Sequence, residues 1–277
     1  MKKLNLKKVT LGSDPELFFM QEDGKYISSI GIVSGTKSDP CPIPGMENGY
    51  ATQTDNVAVE YNIPPASTEE AFSNNIQNAL DYIQKIATAY SLVISKEPYA
   101  VFDEDQLASD EAKAIGCDPD YNAHTMTVNI KESFLDGGRS CGGHVSVGYP
   151  GFTNDLNVEL VKAMDLYLGV PSILMDMDEK RRTLYGQAGC FRHTGFGVEY
   201  RTLSNFWTFS DELRKWAFKN TMQAVEFVLS GNKIDEELGD MLQNTINHSN
   251  KDKATELVKK FNLDVVTKEE FLIPVAK

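Results

Sequence analysis

Residues 191–207 read FRHTGFGVEYRTLSNFW, and the fold turns on how this stretch is read. Across residues 197–203 apolar and charged residues alternate, which is the period of a β-strand whose successive side chains point to opposite faces. Val198, Tyr200 and Thr202 then share one face, while Glu199, Arg201 and Leu203 share the other. Glu199 and Arg201 sit side by side, about 7 Å apart at the rise of a strand. Taken alone, the two read equally well as a sheet-surface ion pair, which is common and worth little. Three further stretches repeat the pattern.

Residues 9–28, VTLGSDPELFFMQEDGKYIS, read as a strand, a turn at Glu22-Asp23-Gly24 and a second strand of a hairpin. Asp14 and Glu16 share a parity around Pro15, which cannot donate a ladder hydrogen bond and favours a strand start or an edge. Residues 55–65, DNVAVEYNIPP, put Val57, Val59 and Tyr61 on one face and Asn56, Ala58, Glu60 and Asn62 on the other. Residues 137–150, GGRSCGGHVSVGYP, send Val145 and Val147 toward a core and His144, Ser146 and Gly148 away from it. Glycines around such a histidine allow backbone or ligand to approach closely.

Helices separate and follow these strands. Ser67 opens one, with Glu70 completing a capping box and Phe72, Ile76, Leu80, Ile83 and Ala87 at helical spacing. A second covers residues 155–168 and ends at Gly169; a third covers residues 211–229 with Ser210 as N-cap. Residues 31–49 form a long loop containing GTK at 35–37, which completes no phosphate-loop motif. The reading is an α+β chain forming a single domain over residues 1–277, with a sheet core at 9–209 and a C-terminal helical layer at 210–277.

With 277 residues the chain lies near the upper size for one hydrophobic core. A formal net charge of −13 disfavours nonspecific binding to nucleic acid or an anionic membrane, though it leaves room for a local basic pocket. No stretch approaches the roughly 20 apolar residues that span a bilayer. The N-terminal lysines precede no unbroken apolar run, so no signal peptide is expected. Four dispersed cysteines read as reduced thiols in a cytoplasm.

The polar strand faces collect Asp14, Glu16, Glu60 and Glu199, the imidazole of His144, and Arg139, Arg181, Arg182, Arg192 and Arg201. Their shared parity suggests a cupped antiparallel sheet with a site on its concave face. So many carboxylates demand cations. Mg²⁺ takes oxygen ligands and shares them with substrate phosphates, and arginine forks match phosphate and carboxylate oxygens. Together these are the parts of a phosphoryl-transfer site. A rival is zinc at Cys141-x-x-His144 and Cys190-x-x-His193, against which a strand would turn Cys141 and His144 to opposite faces.

The runs GSDPELFF (12–19), DNVAVEYNIPP (55–65), GCDPDYNA (116–123), GGHVSVGYP (142–150) and FRHTGFGVEYRTLSNFW together resemble the phage COOH–NH2 ligase family, type 2 (phiEco32-like). That family is grouped with glutamine synthetase and glutamate–cysteine ligase. The resemblance runs from about residue 9 to 216. It implies a glutamine-synthetase-like catalytic domain, a curved antiparallel sheet with helices packed on its convex face. It also implies amide formation that depends on ATP and on Mg²⁺ (or Mn²⁺) and passes through an acyl phosphate.

By motif position, Glu16, Glu60, His144 and Glu199 would hold metal. Glu199, Arg192 and Arg201 would be the catalytic set, and Lys37, Arg139, His144, Arg181 and Arg182 would meet the nucleotide. The expected partners are ATP, a small-molecule or peptide carboxylate, an amine and further copies of the chain, in a cytoplasm that is the host's if the gene is a phage's. Two departures stand out: Ser146 replaces the second histidine of an H-x-H pair, and Asp14-Pro15-Glu16 replaces E-x-E. A kinase on the same fold and a non-catalytic ligand-binding protein are the alternatives.

Overall fold

The computed structural model describes residues 6–113, 120–129, 137–176 and 178–267. In chain order the strands are β1 (Thr10–Gly12), β2 (Glu16–Met20), β3 (Tyr26–Ile27), β4 (Cys41–Pro42), β5 (Ala51–Asp55) and β6 (Ala58–Asn62). After helix α1 (Glu69–Ala89) come β7 (Val93–Ser95), β8 (Tyr99–Val101), the short α2 (Asp110–Lys113), β9 (Tyr121–Asn122), β10 (Gly138–Ser140) and β11 (Val145–Gly148). Helices α3 (Asn154–Met164), α4 (Val170–Met175) and α5 (Glu179–Arg182) lead to the hairpin β12 (Cys190–Thr194) and β13 (Gly197–Tyr200). Three helices finish the chain: α6 (Asp211–Leu229), α7 (Glu236–Asn247) and α8 (Lys251–Phe261).

One kinked segment, residues 10–20, joins the two main sheets. On one edge β1 pairs with β11, which continues through β13 and β12 to β9. On the other edge Leu11 exchanges backbone hydrogen bonds with Ala66, and Ser13 and Pro15 accept from Ile63 and Tyr61. β2 then pairs with β6, which continues to β5 and β4. Pro15 lies at the kink immediately before β2, where its missing N–H costs no ladder bond. Every strand pairing among the described residues is antiparallel, and the result is the curved α+β sheet the sequence implies.

The parity reading holds across the sheet. Leu11, Leu17, Val59, Tyr61, Val145, Val147, Phe191, Val198 and Tyr200 are fully buried in the core shared with α1, α3 and α6. Phe72 of α1 stacks on Trp207 with ring centroids 5.7 Å apart, and Leu213, Trp216 and Val225 of α6 close over the same core. A second apolar cluster binds α4 to α7 and α8 through Val170, Ile173, Leu242, Ile246 and Leu257. Residues 268–277 of the expected helical layer lie outside the described residues. No helix among the described residues is long and apolar enough to cross a membrane.

Three local expectations are corrected. Residues 55–62 are not one strand: a tight turn at Asn56, with φ of +48° and its side-chain oxygen accepting from the Val57 N–H, ends β5 at Asp55. Asn tolerates that left-handed backbone better than most residues. The cap of α1 is Thr68 rather than Ser67, its hydroxyl accepting from the Ala71 N–H. Gly169 does not end its helix either, because α3 runs through a π-turn (Asp165–Gly169) directly into α4. A Cβ at Gly169 would fall 2.7 Å from Ile246 Cδ1 and 2.8 Å from the Tyr200 hydroxyl, so an added methyl would crowd both side chains. Helix propensity alone makes Gly169→Ala stabilising by up to about 1 kcal/mol. Overcrowding should instead destabilise the variant by about 1–3 kcal/mol in urea unfolding.

Candidate active site

Two cross-strand rows lie on the face opposite the core. In the first, Gly12 lies opposite Ser146, Ser146 opposite Glu199, and Glu199 opposite Arg192. In the second, Glu60 lies opposite both Glu16 and Gln53. The carboxylates and the imidazole gather into two groups whose donor atoms lie within 4.8 Å of one another: Asp14, His144 and Glu199, and Glu16, Asp55 and Glu60. The four residues expected to hold metal are thus divided between two groups, each completed by an aspartate.

Glycines make the first group possible. A Cβ at Gly142 would lie 2.3 Å from His144 Nε2, and one at Gly143 would lie 2.2 Å from the Ser204 carbonyl, so the chain folds tightly beneath the imidazole. The Gly142 N–H donates to Glu16 Oε2 at 2.8 Å, and its carbonyl accepts from the Glu16 N–H. The Ser13 hydroxyl donates to the His144 carbonyl. His144 Nδ1 lies 3.4 Å from Asp14 Oδ1 and 3.6 Å from Glu199 Oε1. Arg201 Nη1, which can only donate, lies 3.4 Å from that same nitrogen. Nδ1 thus faces two carboxylates and one guanidinium, while Nε2 faces the Tyr185 hydroxyl at 3.4 Å. Burial, reinforced by Arg201, pushes His144 well below its usual 6.5, so the ring is neutral.

Arg201 is buried among Glu199, with which it forms an ion pair, Asp120 (Nε to Oδ2, 3.5 Å) and the face of Tyr185. The Cys190 thiol donates to the same Asp120 carboxylate. Arg192 is more open: its Nη1 lies 4.0 Å from Glu199 Oε2, and its Nε and Nη2 are buried with no hydrogen-bond acceptor. Beyond Asp14 and Glu199 a cleft of about 900 Å³ extends past Gly12, Ser146, Tyr149 and Phe196.

The remaining expected residues are placed differently. Lys37 Nζ lies 3.3 Å from Asp55 Oδ2, beside the second group. Arg181 and Arg182 are buried on Asp178; Arg181 also donates to the carbonyls of Thr202 and Leu203, just beyond β13, and lies over Tyr185. Arg139 donates to the carbonyls of Gly138 and Ala112, in the small β8–β10 sheet. Among the described residues neither Cys-x-x-His pair joins a metal-compatible group. Cys141 packs with Phe18 and Phe102, and His193 turns to Asn157 on the helix side.

The sequence reading missed Asp55 and Asp120. A parity argument finds Asp55 only once the Asn56 turn is known. Asp120 belongs to the GCDPDYNA run, of which residues 116–119 lie outside the described residues.

The second group is electrostatically crowded. Burial, then Asp55, raises Glu16 from its ordinary 4.5 to about 7. Glu60 moves the same way, by burial first and then through Asp14. Asp14 is raised by burial, with Arg201 and Arg192 pulling it back.

Asp14 and Glu199 line this cleft, and His144, Arg192 and Arg201 stand around them. Residues 123–272 match the family described as phage phiEco32-like COOH.NH2 ligase-type 2. This match covers more than half of the chain, and the chain belongs to that family of carboxylate–amine ligases. The matched residues include His144, Arg192, Glu199 and Arg201. No curated protein matches the chain.

Among solved structures, the chain is similar to a bifunctional glutathione synthetase from Pasteurella multocida, with a TM-score of 0.45 and 10% identity over 93% of this chain and 49% of that one. It is also similar to a structure described as apo GmaS without ligand, with a TM-score of 0.40 and 10% identity over 98% and 73% of the two chains. The chain thus spans about half the length of the glutathione synthetase.

The raised carboxyls carry a sign. Between about 4.5 and about 7 the folded chain binds more protons at Glu16 than the unfolded chain does, so stability falls as pH rises through that window. Melting temperatures of EDTA-treated protein should decline across it, and Glu60→Gln should flatten the decline. An identical pH dependence of melting temperature in wild type and Glu60→Gln would contradict the crowding.

Proposed function

We propose that the protein is an ATP-dependent ligase that joins a carboxylic acid to an amine. The observation that carries this is the grouping of Asp14, His144 and Glu199 with Arg192 and Arg201, of which Asp14 and Glu199 line the 900 Å³ cleft. Asp14, His144 and Glu199 would hold one divalent cation, and Glu16, Asp55 and Glu60 a second. Carboxylate oxygens and one neutral imidazole nitrogen suit Mg²⁺ or Mn²⁺. When bound, such a cation neutralises phosphate oxygens.

In the first half-reaction a carboxylate oxygen of the acid attacks the γ-phosphorus of ATP. The bond from that phosphorus to the bridging oxygen breaks, ADP leaves with the electron pair, and an acyl phosphate forms. The amine nitrogen then attacks the acyl carbon, phosphate departs, and the amine proton is lost. Arg192 meets the developing phosphoryl charge with its two acceptor-free donors. Arg201, fixed between Glu199 and Asp120, holds a second positive charge at the same end of the cleft. Lys37 would add a cation beside the phosphates. Arg139, Arg181 and Arg182 have backbone and carboxylate partners within the chain, and their part is to hold the shell around the site.

The substrate class is a small-molecule or peptide carboxylate with an amine partner. Cys41, Cys141 and Cys190 are unpaired thiols, which favours a reducing cytoplasm, and the net charge of −13 disfavours nucleic acid. Self-association is expected from the wider superfamily.

The test is ADP release with panels of acids and amines, with the product identified by mass spectrometry. ADP release should require the acid, and the amide should require the amine. A stable phosphorylated product formed without amine would make the protein a kinase. Nucleotide binding without turnover of any acid–amine pair would make it a binding protein. Glu199→Gln should stay folded and lose about 10²-fold or more in kcat; full activity in that variant would remove Glu199 from its role.

A further inference from the structure

Asp14 and Glu199 occupy one part of the cleft of about 900 Å³, and most of its lining lies beyond them. The sheet floor continues there by one more cross-strand row. Thr10 lies opposite Gly148, Gly148 opposite Gly197, and Gly197 opposite Thr194, two residues along from the row of Ser146, Glu199 and Arg192. All four residues line the cleft. The middle of this row is bare backbone, a flat floor about 7 Å from the Glu199 position at the rise of a strand.

An aromatic ring is fixed at its edge. Phe196 tops the β12–β13 hairpin between Gly195 and Gly197, and its carbonyl accepts from the Tyr149 N–H at 3.1 Å. A Cβ on Gly197 would strike the Val147 carbonyl, so the hairpin lies tightly against β11. A Cβ on Gly148 would lie 3.5 Å from Phe196 Cδ2, which places the ring against the bare floor, while the residue stays 59% exposed. Tyr149 and Phe152, packed edge to face with ring centroids 5.2 Å apart, line the same cleft. Charge is scarce there: among the described lining residues, the exposed Lys8 is the one charged side chain besides Asp14 and Glu199. Asn157 is 4% exposed and also lines the cleft; its Nδ2 donates to the Gly197 carbonyl at 2.9 Å, and its Oδ1 has no partner among the described residues. The Thr194 hydroxyl is likewise buried and unpartnered. The outer cleft thus offers a flat apolar surface and neutral hydrogen-bonding groups. A charged group seated there would lose water without gaining a counter-charge.

We infer that the outer cleft is a subsite for a flat, uncharged ring on one of the two joined substrates, and that Phe196 selects for it by stacking. The inference rests on the ligase reading and adds a substrate class to it: an acid or an amine with an aromatic or heteroaromatic body. Distance favours a substrate body over a nucleobase. The body of an acid or amine is bonded directly to the reacting centre, and the floor lies one row from Glu199 and Arg192. A base is separated from its γ-phosphorus by the rest of the triphosphate and a ribose.

The test is ligand-observed NMR on the full chain with Mg²⁺, using 3-phenylpropionate and phenethylamine against hexanoate and hexylamine. Wild type should bind at least one ring probe more tightly than its aliphatic counterpart, and the probe that binds identifies the substrate that carries the ring. Phe196→Ala removes an exposed ring and should stay folded. It should weaken that probe by about two- to tenfold and leave the aliphatic counterpart unchanged; Phe196→Trp should restore the affinity. Adenosine should not displace the probe. Displacement by adenosine, equal binding of ring and aliphatic probes, failure of both ring probes to bind, or unchanged ring affinity in Phe196→Ala overturns the inference, whether or not ligase activity is found. Phe196-dependent ring binding without ADP release from any acid–amine pair leaves the ring subsite standing and removes the ligase reading.

Discussion

Five carboxylates, those of Asp14, Glu16, Asp55, Glu60 and Glu199, face one side of a curved sheet within two small groups, and nearly all the local structure around them answers that crowding. Ionised carboxylates lose several kcal/mol each on leaving water. The chain offsets this for Glu199 and Asp14 with guanidinium groups and for Glu16 with the Gly142 N–H. Lys37 stands on Asp55, and Glu16 and Glu60 keep their protons to unusually high pH. A face assembled at that cost has no stability rationale, since apolar residues of similar size would serve better. Under the proposed function a bound cation supplies the missing charge.

The opposite face of the same strands makes the arrangement rigid. Tyr200 lies between Glu199 and Arg201 in the chain but points into the core. There its hydroxyl donates to Asp165 at 2.8 Å, and Asp165 in turn meets His124 Nε2 at 2.7 Å. Asp165 opens the π-turn, so the helical irregularity, the bare Gly169 and the anchoring of Tyr200 are parts of one contact. Fixing Tyr200 from below sets the direction in which its two charged neighbours emerge above. The packed core thereby sets the geometry of the site.

Strand parity was legible in the sequence because it depends only on neighbours two residues apart. Glu16, Glu60, His144 and Glu199 therefore appear on the polar face where alternation put them. Features that depend on longer-range geometry were not legible. Asp55 reaches the second group because one left-handed asparagine reverses the chain after it. Asp120 meets Arg201 across a separation of more than eighty residues. The five arginines are of one residue type, yet Arg139, Arg181 and Arg182 donate to carbonyls or carboxylates inside the chain, while Arg192 stands 4.0 Å from Glu199 with its side chain partly exposed. Nothing in a local pattern distinguishes those roles. Gly169 illustrates the same limit, since a glycine at a helix end and a glycine under a tyrosine hydroxyl look alike in sequence.

Ser146 sharpens what the first group can do. It stands opposite Glu199 in the register, where a second histidine was the expected residue, and it lines the cleft beside Gly12 and Gly148. With a short hydroxyl there, Asp14, His144 and Glu199 are the donors grouped among the described residues, and Glu16, Asp55 and Glu60 are likewise three. Mg²⁺ demands a near-octahedral shell of about six ligands and surrenders its waters reluctantly. Three protein donors would leave about half of that shell to water or to substrate oxygens, which suits a cation shared with a nucleotide better than one buried as a structural staple. The small floor made by Gly12, Ser146 and Gly148 leaves the cleft side of Glu199 open to such a ligand. The substitution that departs from the H-x-H pattern is thus compatible with the phosphate chemistry proposed.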